Sequence, residues 1–367
     1  MSDKKDLFTI ILTNYNQENF IYNAIDSIIK QKHKNIELII SDDFSKKFDS
    51  EKIRKYINEK SNNITNLQFV VNDSNIGTVK TINKCLKISS GKYITIFAAD
   101  DELNNENVIN NYLETFSTNI DIKIVTSICG LYDYNISKKI RDFPDKKEIN
   151  RLNKMNAQEQ NYNLRIEPIF APGATAYRAD IFKELNYFDE KYVLIEDWPW
   201  FLKCTRNNYK VRFAQYYSLN HRGGGISEEK KLSNKIANQL IKDTNNIYKT
   251  EIFPYMKSMD LSSKTKILKR YKIFVKLYKK TNLNILLKYY MQCVKNGDIL
   301  IDKLTKHKKM FFELIIAVTA IIISLIIKCF WKNSIIIICI LCPIIFRLLL
   351  FVYNRKRRRS NEKNKRK

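Results

Sequence analysis

Two adjacent carboxylates, Asp100 and Asp101, close a short apolar run that begins at Gly91-Lys-Tyr-Ile-Thr-Ile-Phe. A run of that length, rich in β-branched and aromatic residues and preceded by Ser89-Ser90-Gly91, reads as a buried strand. Paired carboxylates at the tip of a buried strand repel each other and need a cation or hydrogen-bond donors to hold them. In open α/β sheets ligands bind beyond the carboxyl ends of the strands. The pair therefore suits a divalent cation facing a phosphorylated ligand. The plainer alternative is a helix start, with Asp100 or Asp101 capping Glu102-Leu103-Asn104. The elements that precede the pair favour the cation.

Those elements alternate. Leu7–Thr13 reads as a strand, and Phe20, Ile21, Ala24, Ile25 and Ile28 mark a helix. Ile36–Ser41 is a second strand, stopping at Asp42-Asp43-Phe44-Ser45, and 45–59 is helical in character. Leu67–Val71 is a third strand, and a helix over Thr78–Ile88 leads to the Gly91–Asp101 strand. Strand and helix in strict succession predict an α/β fold with a mainly parallel sheet flanked by helices. Neither a G-x-G-x-x-G after the first strand nor a G-x-x-x-x-G-K-[ST] occurs, so phosphate must be held by other means. Further on, a helix is expected to about Ser117 and a strand over Ile122–Ile128. Residues 135–165 read as a polar, weakly patterned surface excursion, and Pro168–Arg178 as a turn into a strand. Glu196-Asp197-Trp198-Pro199 opens a helix, with proline in the first turn where it is tolerated. Val211–Ala214 and Gln215–Leu219 read as a strand or hairpin closing on His221-Arg222 and three glycines.

The chain has 367 residues, and its Lys+Arg 64 against Asp+Glu 38 gives a formal charge of +26. Such an excess points to anionic partners: phosphorylated small molecules, nucleic acid or an anionic membrane. Seven cysteines show no metal-ligand spacing, which fits reduced thiols. The charged segment Met1-Ser-Asp-Lys-Lys-Asp6 runs straight into the first strand, so no secretory leader is expected. From 228 to 309 the chain reads as a basic helical region, with Ile267, Tyr271, Phe274 and Tyr278 as an apolar stripe after a cap at Ser262 or Ser263. Two hydrophobic blocks follow, Phe311–Trp331 and Ser334–Tyr353, each close to the roughly 20 residues that cross a bilayer. Basic flanks on both sides then predict a two-helix transmembrane hairpin over 310–353 and a basic tail over 354–367. This expectation places the protein in the plasma membrane as a multi-pass protein, with the domain of residues 1–227 in the cytoplasm. Lipid attraction accounts for the basic residues beside the hairpin, so nucleic acid is not expected as a partner.

From Leu7 to Ser227 the segments resemble the family 2 glycosyltransferases of the GT-A fold. Thr13-Asn14-Tyr15-Asn16 resembles their opening P-T-Y-N, and Ser41-Asp42-Asp43-Phe44-Ser45 their V-D-D-G-S. Asn75-Ile76-Gly77 with Asn83 resembles N-x-G…N, Gly91–Asp101 resembles G-E-Y-I…D-x-D-D, and Glu196-Asp197 resembles the E-D that supplies the base. The resemblance implies an inverting, metal-dependent transfer of one sugar from a nucleotide donor, a UDP-sugar above all, to a glycan or lipid-linked acceptor in cell-surface polysaccharide synthesis. Thr13, Tyr15 and Asp43 would hold the nucleoside, and Asp101 with Asp100 would bind Mg2+ or Mn2+ on the diphosphate. Asp197 would be the catalytic base, with Glu196, Trp198 and His221 on the acceptor side. Ala98 stands where the family has the first D-x-D carboxylate, and Lys80 is the nearest substitute for a missing arginine before the helix asparagine. The Q-x-x-R-W segment of processive synthases is absent, which favours addition of a single sugar. Two other classes compete: a nucleotide-sugar-binding protein without catalysis, and a sugar nucleotidyltransferase, which would want a Gly-rich G-x-G-T-R loop after the first strand.

Overall fold

A computed structural model describes residues 7–223 and 234–280. The first half alternates as expected: β1 (Phe8–Asn14), α1 (Ile21–Ile29), β2 (Ile36–Asp42), α2 (Ser50–Lys60), β3 (Ile64–Val71), α3 (Thr78–Ile88) and β4 (Tyr93–Ala98). Then come β5 (Glu102–Leu103), α4 (Val108–Thr118), β6 (Ile124–Tyr132), β7 (Lys139–Phe143), α5 (Lys146–Lys154) and α6 (Ala157–Ile166). The described chain finishes with β8 (Thr175–Arg178), α7 (Asp180–Glu184), α8 (Asp197–Arg206), β9 (Val211–His221), α9 (Asn234–Ile247) and α10 (Leu261–Lys280).

The strands form one sheet in the order β3-β2-β1-β4-β8-β6-β9-β5, with β7 paired to β6. The β3-β2-β1-β4 half is parallel, whereas β8 runs antiparallel to both β4 and β6, so the sheet is mixed rather than mainly parallel. Side-chain alternation along the strands splits the core in two. Phe8, Ile10 and Leu12 of β1 join Leu38 and Ile40 of β2 against α1, α2 and α4. Ile11 and Ile39 face the other way, onto Val79, Ile82 and Leu86 of α3 and the aromatic residues of α8. Fully burying one such isoleucine contributes roughly 1.5–3 kcal/mol, so the parallel half is anchored by hydrocarbon on both faces.

Four expectations change. Residues 135–165 are not a surface excursion: they form β7, α5 and α6, whose Gln160 and Asn161 are buried. Those amides replace hydrocarbon, bonding Val211, Leu202 and Thr205, which is why no apolar period marks the segment. Helices α9 and α10 are not a region apart from the sheet domain. Ile247, Tyr248, Ile252 and Ile267 enter the same core as Trp198 and Phe201. The cap of α10 is Asp260, which accepts from Ser263 N at 2.9 Å, instead of either serine. Finally, among the described residues no helix is long and apolar enough to cross a membrane. The expected plasma-membrane localisation, with two spanning helices and a cytoplasmic domain, is therefore corrected. The blocks 311–331 and 334–353, the basic tail, the side chains of Phe274 and Tyr278, and residues 224–227 lie outside the described residues.

One buried charge fixes where β4 begins. Glu37 of β2 is fully buried and accepts from Thr9 Oγ1 at 2.6 Å, Ser90 N at 2.8 Å, Ser90 Oγ at 2.6 Å, Asn66 Nδ2 at 2.9 Å and Gln68 Nε2 at 3.2 Å. Burial opposes ionisation, yet the bonds from Ser90, Thr9 and Asn66 prevail and lower the pKa. Gly91 follows because a Cβ there would lie 2.8 Å from Thr9 N. Replacing Glu37 with Gln sets an amide N–H2 against donors in a closed site, and is expected to cost about 2–4 kcal/mol in urea unfolding. The stabilisation is present above the unfolded carboxylate range and disappears as pH falls through the lower folded value, so the difference between Glu37→Gln and wild type should shrink in acid.

Candidate active site at the carboxyl edge of the sheet

Register brings the tips of three parallel strands level: Thr13 pairs with Ser41 and Ala98, and Asn14 with Asp42. β9 points the same way, because β8 reverses once from β4 and β6 reverses back. The polar ends of β1, β2, β4 and β9 thus share one edge, where ligands of open α/β sheets bind.

At the β2 tip, Asp42 accepts from Asn14 Nδ2 at 2.7 Å and from Ser45 N at 2.8 Å. Phe44, standing where the resembled motif has glycine, adopts φ 70 and is 57% exposed. Asp43 is buried and accepts from Asn72 Nδ2 at 3.0 Å, Ile76 N at 2.9 Å and Gly77 N at 2.8 Å. Asp43 therefore sets the turn into α3, where Gly77 has φ +90 and a Cβ would meet Val193 O at 2.8 Å. Thr13 and Tyr15 are half-buried beside this turn, the Thr13 hydroxyl donating to Phe97 O at 3.4 Å. Lys80 is exposed on the first turn of α3.

At the β4 tip, Asp100 and Asp101 are both buried. No helix starts on them: Glu102-Leu103 pair with β9, and α4 begins only at Val108, so the capping alternative fails. Asp101 Oδ1 accepts from Arg222 N at 3.0 Å and lies 2.9 Å from His221 Nδ1. The structure thus joins three expected site residues, Asp100, Asp101 and His221, in one cluster. Arg222, for which the sequence suggests no role, locks that cluster. Its guanidinium donates to Asp100 O at 2.8 Å, Tyr134 O at 2.8 Å and Glu102 Oε1 at 2.7 Å, and stacks 4.3 Å from the Phe20 ring. The available signal was a lone arginine at a strand end beside a glycine run.

Asp100 has few donors of its own, its carboxylate meeting Gln17 Nε2 at 3.5 Å. Burial and then the Asp101 charge push its pKa up to about 6. Among the described residues no group of three or more His, Cys, Asp and Glu could hold a metal by itself. A carboxylate short of donors, Asp100, beside the partly satisfied Asp101 fits a hard cation whose remaining ligands are phosphate oxygens and water.

At the α8 amino end, Glu196 and Asp197 stand side by side, each half-buried. Burial, the Asp197 charge and the Asp243 charge push Glu196 up to about 8. Burial raises Asp197 too, against backbone bonds from Trp198 and its own amide. Trp198 is corrected as an acceptor platform: it is 6% exposed, donates Nε1–H to Leu164 O at 2.8 Å and packs edge-on to Tyr248. Its indole belongs to the core, because the first turn of α8 points that position inward. Trp200 stacks on Phe182 in the same core.

Residues 9–186 match the family described as Glycosyl transferase family 2. The chain carries a glycosyl transferase family 2 domain. An uncharacterized glycosyltransferase of Methanocaldococcus jannaschii is 27% identical over 220 residues, covering 59% of this chain and 71% of that protein. Glycosyltransferase GlyA of Streptococcus pneumoniae is 23% identical over 223 residues, 56% of this chain, but the match spans only 31% of GlyA. The solved mannosyltransferase PcManGT of Pyrobaculum calidifontis, in complex with GDP-Man and Mn2+, superposes with a TM-score of 0.49 at 13% identity, covering 89% of this chain and 88% of that one. The family 2 match holds Thr13, Tyr15, Asp43, Lys80, Asp100 and Asp101, and ends before Glu196, Asp197, Trp198 and His221. The α/β mixed sheet flanked by helices accords with the family 2 domain.

Because the folded pKa of Glu196 is raised, its proton stabilises the fold at low pH, and stability falls as pH rises from the unfolded value of 4.5 to about 8. Glu196→Gln should flatten that fall and raise the melting temperature at pH 9 relative to wild type. Thermal melts at pH 5, 7 and 9 check this.

Proposed function

We propose that the chain transfers one sugar from a nucleotide-diphosphate donor to an acceptor hydroxyl by single displacement with inversion. The observation that carries this reading is the Glu196–Asp197 pair, an acid couple raised in pKa at a helix start that adjoins the Gly77–Val79 entry of α3.

Thr13 and Tyr15 border the nucleoside at the β1 tip, with the Tyr15 ring available to stack on the base. Asp43 fixes the Ile76–Gly77 turn against which the ribose lies, and one lone-pair site of its carboxylate remains for a donor hydroxyl or base N–H. Lys80 offers its charge to the phosphates. Asp100 and Asp101 would hold Mg2+ or Mn2+ with the diphosphate oxygens. Such a cation neutralises the charge that gathers on the leaving nucleotide. His221 and Arg222 N keep Asp101 oriented for that task.

Asp197 accepts the proton of the acceptor hydroxyl as its oxygen bonds to the anomeric carbon and the sugar–phosphate bond breaks on the opposite face. A carboxylate with a raised pKa is a better proton acceptor than an ordinary one. With Glu196 still protonated at neutral pH, the negative charge of the pair rests on Asp197. His221 and Glu196 border the acceptor. A UDP-sugar donor and a glycan or lipid-linked acceptor of the kind used in cell-surface polysaccharide synthesis complete this reading.

A panel of nucleotide sugars, incubated with acceptor extracts and assayed for released nucleotide, identifies the donor. Asp197→Asn is then expected to lower transfer about a hundred- to ten-thousand-fold while nucleotide affinity stays within about twofold. Undiminished transfer by Asp197→Asn would remove Asp197 as the base.

A further inference from the structure

We propose that Asp243, on α9 and beyond the family 2 match, is a positioning residue for the Glu196–Asp197 pair. The inference rests on the role of Asp197 proposed above, and it makes α9 part of the catalytic apparatus. Asp243 is fully buried. Its Oδ2 accepts from three successive backbone amides: Val193 N at 2.9 Å, Leu194 N at 2.7 Å and Ile195 N at 3.3 Å. Consecutive N–H groups converging on one oxygen make an anion nest, here filled from within the chain. Its Oδ1 accepts from Gln239 Nε2 at 2.8 Å, one helical turn back, which fixes the rotamer.

The clamped residues lead directly into Glu196 and Asp197. Their other side is held as well, because Val193 O accepts from Val79 N at 3.2 Å, on the first turn of α3. The strap 193–195 is thus pinned between α9 and the α3 entry that Asp43 sets through Gly77 N. Its Val193 end is therefore referenced to the α3 entry on the donor side of the cleft, and the position of the α8 amino end follows from it. Asp243 acts in a second way. Its charge, with that of Asp197, faces Glu196 and favours the protonated acid. A tether alone could be made by a neutral amide; the charge also sets which member of the pair is ionised.

Steady-state transfer by Asp243→Asn tests both roles, since Asn removes the charge and leaves the strap only a weaker, neutral carbonyl acceptor. The expected result is a drop in kcat of about 10–100-fold with donor KM within about twofold, the scale on which misplacing a reacting group costs rate. The pH–kcat limb belonging to the Glu196–Asp197 pair should also move to lower pH. Gln239→Ala, which keeps the carboxylate, should leave that limb in place and lower kcat by less than about fivefold. Hydrogen exchange gives a reading independent of activity: the amides of 193–195 should exchange faster in Asp243→Asn, with other core amides unchanged. Unaltered kcat and pH limb, or a kcat loss that merely follows unfolding, would overturn the positioning role. Unaltered exchange at 193–195 would overturn the clamp. Transfer that is intact in wild type and undiminished in Asp197→Asn would instead strike at the proposed base.

Discussion

A carboxylate taken out of water must be given donors or must give up its charge. This constraint sorts the acidic residues of the protein into two kinds. Glu37, Asp43, Asp101 and Asp243 each accept from backbone amides of a distant segment, and Asp42 accepts from the Asn14 side chain, so each joins two elements far apart in sequence. Asp100, Glu196 and Asp197 lack such donors, and burial raises the pKa of all three. The satisfied carboxylates join elements of the fold, Glu37 at the start of β4 and Asp42, Asp43 and Asp101 at the carboxyl edge of the sheet. Buried acids short of partners are the groups expected at sites of chemistry.

The satisfied acids also explain how a mixed sheet presents one functional edge. Asp43 binds the β2 tip to the α3 entry, Asp101 binds the β4 tip to the end of β9, and Arg222 closes over Asp101 with its guanidinium on Asp100 O and Glu102. The Asp43 and Asp101 joints use backbone amides, whose positions are dictated by neighbouring secondary structure; the third uses the Arg222 guanidinium. The one reversal at β8 then costs the edge nothing, because β6 and β9 return to the direction of β4.

Much of this edge was legible in the residues. β1, β2 and β4 are apolar runs cut off by polar tips, and α3 spans Thr78–Ile88 as its apolar spacing requires. The Asp100–Asp101 pair followed from motif order, whereas His221, expected on the acceptor side, sits against Asp101. What escaped had no hydrophobic period or lay outside any motif. α6 buries Gln160 and Asn161 as if they were apolar, and their satisfaction by Val211, Leu202 and Thr205 depends on the tertiary fold. Trp198 reads equally well as a sugar platform or as core, and only the facing of α8 decides. Three free cysteines, Cys85, Cys129 and Cys204, are buried, with the Cys85 thiol pushed up to about 12 by desolvation, so they serve as small core residues. Asp243 lies in a helix whose neighbours give no sign of the strap it holds.

The central claim is that Asp100 and Asp101 gather a cation and a sugar-donor diphosphate at this edge. Calorimetric titration of UDP and GDP into the protein, with Mn2+ and with EDTA, tests it most directly when Asp101→Asn is measured alongside. The account predicts that Mn2+ tightens binding of the cognate nucleotide by about tenfold or more in wild type and by nothing in Asp101→Asn. Equal affinity with Mn2+ and with EDTA in wild type would contradict it.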